Sequence, residues 1–161
     1  MVDNELFMTQ PVYMDTMFFP NEKNVDKLCS YISKARKTLK ICVFTITNNE
    51  ICKAILDAKY QNGAEVFIIT DDECAKARGS DVEYLSRKGC KVRTDSEERF
   101  HMHNKFMLID RKMLITGSFN WTVQAGKSNQ ENLLVVDHPY YLKSYEDEFD
   151  RLWSEFKDNV V

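Results

Sequence analysis

The chain has 161 residues, 43% of them hydrophobic and 29% charged, with a formal net charge of -3. That size and balance fit one water-soluble globular domain able to bury a real core. They exclude a polycation that coats nucleic acid by bulk charge and a low-complexity chain, and no run approaches the ~20 apolar residues a membrane span needs.

Residues 1–10 are expected to form an N-terminal tail, acidic early and without the basic region of a signal peptide. Residues 11–161 are expected to form a single domain. "VYMDTMFF" reads as a strand closed by Pro20, and "NVDKLCSYISKA" places Val25, Leu28, Cys29, Ile32 and Ala35 on one helical face. The apolar run "LKICVFTI" has the length of a strand covered on both faces. "NNEICKAILDAKYQNG" predicts a helix capped by Asn48 or Asn49 and stopped by Gly63, with "AEVFIIT" as the next buried strand. Ser80 and Glu83 have capping-box spacing and predict a helix over 80–88, ended by Gly89, before the strand "CKVR". This alternation predicts an α/β fold with a mixed, mostly parallel central sheet and helices on both faces.

The pattern then changes. "HNKFMLID" and "KMLITG" are apolar strands whose link at "DRK" is too short for a crossover, so they pair antiparallel. "ENLLVVD" adds a strand, and a last helix carries Leu142, Tyr145, Phe149, Leu152, Trp153 and Phe156 on a wide apolar face. The five cysteines form no C-x-x-C pair; their scatter predicts reduced thiols and no structural zinc.

Chemistry concentrates in "HMHNKFMLIDRKMLITGSFNWT", which begins at His101. On a strand, residues two apart share a face, so His103 and Lys105 project together, and Ser118 and Asn120 do the same at the exit of the neighbouring strand. Gly117 removes a side chain there and permits close approach by a ligand. Imidazole, ammonium, hydroxyl and carboxamide together suit a phosphodiester: lysine and neutral donors for the oxygens, histidine as nucleophile or acid.

His103-x-Lys105, then Asp110, then Gly117-Ser118-x-Asn120 resembles the HKD signature of the phospholipase D superfamily. With "ENLLVV" and "DEFDRLW", the stretch from about Phe18 to Phe156 looks like the mitochondrial cardiolipin hydrolase group, also called Zucchini endonucleases, which carry a single motif as the small bacterial endonuclease Nuc does. The resemblance implies a phospholipase D-like catalytic domain in which His103 attacks phosphorus, Lys105 and Asn120 hold nonbridging oxygens, Ser118 hydrogen-bonds near the histidine, and Glu131 accepts from the far ring nitrogen of His103. Asp110 and Gly117 would be structural, and no metal or other cofactor is implied. In-line displacement needs a second histidine opposite the first. His101, ~6.6 Å away on the same strand face, would approach from the wrong side, so a two-fold homodimer is expected. A metal held by His101 and His103 would need Glu98 or His138 as a third ligand, with no recognised spacing.

Two basic segments, "KARKTLK" with Lys34, Arg36, Lys37 and Lys40, and "RKGCKVR" with Arg87 and Lys88, would form a nucleic-acid groove if both border the cleft. Trp121 would stack on a base or pack in the core. Three functions compete: a nuclease on single-stranded RNA or DNA, a cardiolipin-type lipid hydrolase, and a silent dimerising module. Two features of the mitochondrial group, an N-terminal membrane segment and a cysteine/histidine zinc insertion, are not visible in the sequence. The location expected from this chain is cytosolic, with the mitochondrial outer membrane and a piRNA role reserved for a chain preceded by an anchor.

Overall fold

The computed structural model describes residues 14–96 and 100–161. The expected tail at 1–10 and Glu98 lie outside the described residues. The elements run β1 (Met14–Phe19), α1 (Glu22–Ile32), β2 (Thr38–Val43), α2 (Asn49–Asn62), β3 (Glu65–Thr70), α3 (Asp72–Lys76), α4 (Val82–Arg87), β4 (Lys91–Thr94), β5 (Lys105–Ile109), β6 (Met113–Gly117), α5 (Val123–Lys127), β7 (Glu131–Val136) and α6 (Pro139–Glu155).

Local chemistry sets the helix ends. Asn21 caps α1 by accepting from the Lys23 amide, and the Asn48 side-chain Oδ1 accepts from the Glu50 and Ile51 amides at the start of α2. Gly63 closes α2 in the left-handed conformation, φ 75°. The expected capping box does not form. Helix α4 begins two residues later than predicted, Asp81 gives it no side-chain cap, and Ser80 reaches the Val82 amide only at 3.4 Å.

All seven strands join one sheet in the order β1-β7-β6-β5-β2-β3-β4. The α/β class and the mixed sheet are as expected, but the balance is not: only β2-β3 and β3-β4 are parallel, and the other four pairings are antiparallel. The reason is the order of insertion. The β5-β6 hairpin docks β5 on the free edge of β2, and β7 and β1 extend the sheet from there, so every pairing after β2 reverses direction.

Alternation along β2 divides the core. Leu39, Ile41 and Val43 join the main apolar cluster with α1, α2, α4 and α5. Cys42 points to the other face, where α6 lays Phe149 and Leu152 over Phe106, Leu108 and Leu114. Helices therefore cover both faces. The thiols of Cys42, Cys52 and Cys90 are buried, and all five cysteines are free.

Parallel strands end on one side, and this fixes where chemistry can sit. Val43, Thr70 and Thr94 finish together; there β5 starts with Lys105 opposite Val43, and β6 ends with Gly117 opposite Leu133. At the far end, five residues of strand or about 17 Å away, lie Thr38, Glu65, Lys91 and the turn at 110–112.

Candidate active site

The site is assembled at the Val43 end. His103 lies just before β5 rather than on it, and Lys105 is the first strand residue. The Lys105 ammonium donates to the His103 carbonyl at 2.6 Å and sits 3.0 Å from His103 Nδ1. Phe44, leaving β2, places its ring 4.7 Å from the His103 ring and 5.3 Å from the Lys105 ammonium. Thr70 at the end of β3 donates to the Phe44 carbonyl at 3.0 Å and steadies that segment.

Burial first, then the adjacent Lys105 charge and His101, push the His103 pKa below its ordinary value. That direction favours the neutral imidazole, which keeps a free ring lone pair. Burial likewise lowers the Lys105 pKa, partly offset by Glu131. A groove of about 380 Å³ opens over these groups, lined by His103, Lys105, Thr116, Ser118 and Tyr145.

On the neighbouring strands, the Ser118 hydroxyl donates to Glu131 Oε2 and accepts from the Asn132 amide at 3.1 Å. Glu131 Oε1 accepts from Asn129 at 3.2 Å. The expected contact between Glu131 and His103 is not made within one chain: among the described residues the Glu131 carboxylate is held by Ser118 and Asn129. Asn120 is anchored by its neighbour, since the Trp121 amide donates to Thr45 O and the Thr47 amide donates to Trp121 O. The Asn120 Oδ1 atom is buried and has no hydrogen-bond partner among the described residues.

Several expected contributors lie elsewhere. Trp121 is 3% exposed and packs in the main core, so it offers no stacking surface. Lys34, Arg36 and Lys37 stand at the Thr38 end, remote from His103; Lys34 lies over the Tyr31 ring, and the Arg36 guanidinium donates to Ser33 O and Ala35 O. Lys40 is held under α6 by Glu146 and Asp150. Arg87 pairs with Glu83, Lys88 lies over Tyr84, and both precede the far end of β4. The two basic segments do not border the cleft. The Gly117 explanation also changes: a Cβ there would meet Asn132 O at 2.0 Å, so the glycine admits the β7 backbone rather than a ligand.

Asp110 accepts from the Arg36, Lys37 and Thr38 amides at 2.7–3.1 Å, stapling the hairpin turn to the start of β2. His138 caps α6 through the Tyr140 amide. Sequence reasoning missed Phe44, Tyr145 and Asp71. Buried Asp71 accepts from His101 Nδ1 at 2.7 Å, and the only sequence signal was an acidic residue directly after a parallel strand, where such sheets place their sites.

The family described as cardiolipin synthase, PLD-like domain, matches residues 28–153. A protein of Chlamydomonas reinhardtii named mitochondrial cardiolipin hydrolase is 36% identical over 89% of this chain and 74% of its own length. Its mouse namesake is 35% identical over 84% of this chain and 61% of its own length, so the chain spans well under the full length of that relative. Among solved structures, Nuc from Salmonella typhimurium, a phospholipase D family member, superposes with a TM-score of 0.81 at 26% identity, covering 94% of this chain and 97% of Nuc. NucT from Helicobacter pylori gives 0.76 at 25% identity over 92% and 99%.

Proposed function

This chain belongs to the phospholipase D-like family, and from that premise we propose that it is a phosphodiesterase that works through a phosphohistidine at His103, acting as an endonuclease on single-stranded nucleic acid. The observation that carries the reading is the His103 imidazole with the Lys105 ammonium 3.0 Å away in an open groove.

In the first step the imidazole lone pair attacks phosphorus and the P–O bond to the leaving oxygen breaks. Charge gathers on the nonbridging oxygens, where Lys105 and the amide of Asn120 stabilise it. The leaving oxygen takes a proton from the far side. No second histidine of the same chain faces His103 from there, so that role falls to His103 of a second copy across a two-fold axis, the two coupled imidazoles sharing one proton so that one attacks neutral while the other donates. Water then displaces the histidine with the proton flow reversed. The Ser118–Glu131 pair braces the β6 and β7 ends that frame the phosphate. None of these steps draws on a metal.

A single strand suits the groove walls. From His103 the surface continues past Asn104, His101, Glu148 and Arg151 together with Phe100, Met102, Leu152 and Phe156, so groups that can meet a phosphate stand beside apolar faces that can meet a base. A second reading, hydrolysis of cardiolipin, is favoured by the names of the relatives at 35–36% identity.

Offering labelled single-stranded RNA, single-stranded DNA and cardiolipin vesicles in EDTA separates the two. Strand cleavage that persists in EDTA supports the proposal, turnover of cardiolipin alone replaces it with the second reading, and cleavage that vanishes in EDTA overturns the metal-free mechanism.

A further inference from the structure

His101 does not share a strand face with His103; residues 101–104 precede β5. Its side chain is instead clamped by a carboxylate from another part of the fold. Asp71 is completely buried, with one oxygen accepting from the Cys74 amide at 2.8 Å at the start of α3 and the other from His101 Nδ1 at 2.7 Å. A second buried acid fixes the backbone beside it: Asp95 accepts from the Met102 amide at 2.5 Å and from the Asp72 amide at 2.9 Å. The carboxylates of Asp71, Asp72 and Asp95 stand close enough to suggest an ion site. The oxygens of Asp71 and Asp95 are already engaged by these donors, so the cluster reads as a hydrogen-bonding clamp.

The clamp favours the protonated form of an imidazole that faces the groove. The His101 side chain is 45% exposed and, with Phe100, Asn104 and Arg151, lines a cavity of about 420 Å³ that His103 also borders. The Phe44 ring touches both histidines, with centroids 5.7 Å from His101 and 4.7 Å from His103. His103 and the clamped imidazole thus share Phe44 as a neighbour and border one cavity, and exposed Phe100 offers a face on which a base can stack.

We propose that the His101–Asp71 pair is a second phosphate-binding point, holding the phosphodiester next to the scissile one in a nucleic-acid strand. The inference rests on the phosphodiesterase reading above and deepens it. On this proposal His103 attacks in its neutral form and His101 grips in its protonated form. The direction of the titrations agrees: the hydrogen bond to Asp71 raises His101 while burial lowers His103. The charges facing His101 are Asp71 and Glu73 from the α3 side, Asp95 after β4, and Glu148, Arg151 and Glu155 across the groove on α6. Arg151 is itself tied to Glu148 and Glu155, which leaves the imidazolium as the anion-facing donor.

The test compares a single-stranded oligonucleotide with bis(p-nitrophenyl) phosphate, which has one phosphate, on the full chain and on His101→Gln and Asp71→Asn. The half-exposed His101 can be replaced without opening the core, so His101→Gln stays interpretable if Asp71→Asn folds poorly. The expected result is that His101→Gln loses about tenfold more kcat/KM on the oligonucleotide than on the small substrate, mostly through KM. The wild-type advantage should also shrink as pH rises and His101 loses its proton. Equal losses on both substrates, or no loss on either, would overturn the proposal and leave the phosphodiesterase reading standing. A wild-type chain that turns over neither substrate would overturn both.

Discussion

Partial burial, and an ammonium 3.0 Å away, both disfavour the charged form of the His103 imidazole. Because the neutral form attacks, activity is present above the His103 pKa and lost as pH falls through it. The acid limb of kcat/KM should therefore lie below the ordinary imidazole value of 6.5; a limb above that value contradicts the assignment of His103 as nucleophile. His103→Asn should lower turnover by at least about 10³-fold without shifting the melting temperature, since the side chain makes no core contact. Gly117→Ala has the opposite profile. Its methyl would run into the Asn132 carbonyl, so thermal unfolding should show a loss of about 2–4 kcal/mol. At this scale the sequence disclosed the His103–Lys105 pairing, because two residues so close in the chain share their surroundings. It could not disclose Asp71, which meets His101 only after thirty residues of folding, nor that Glu131 would turn to Ser118.

Elements were legible in proportion to their length. The fourteen-residue α2 and seventeen-residue α6 carry several turns of apolar period and clear end signals. The five-residue α3 and α5 do not complete two turns, so no period existed to read. Sheet direction was misjudged because alternation of strand and helix is a local signal, whereas the pairing of β5 with β2 is decided by which edge is free after β2, β3 and β4 assemble. The hairpin turn holds Asp110 and Arg111 at φ 54° and 59°, an uncomfortable conformation that three amide bonds to Asp110 stabilise. Asp110→Ala should cost about 2–3 kcal/mol in chemical denaturation, and an unchanged midpoint would show that the staple contributes nothing. Because the first basic segment lies at the far end of the sheet, Lys37→Gln should leave KM for an oligonucleotide within about twofold of wild type. A large rise would restore that segment to the substrate path.

For the whole molecule, net charge of -3 and basic segments remote from the groove argue against a grip by a charged surface at large. No helix among the described residues is long and apolar enough to cross a membrane. The fold supplies one His103 per chain and the proposed chemistry needs two, so on that proposal activity requires a second copy. Refolding wild-type protein with excess His103→Asn protein should drive activity per wild-type subunit toward zero; full activity per wild-type subunit would mean that each chain works alone.

The covalent step can be read at phosphorus itself. Two successive in-line displacements, first by His103 and then by water, each invert the centre, so cleavage of a phosphorothioate strand of defined configuration in isotopically labelled water should give a product with net retention. Net inversion would mean that water attacks directly, and no phosphohistidine forms.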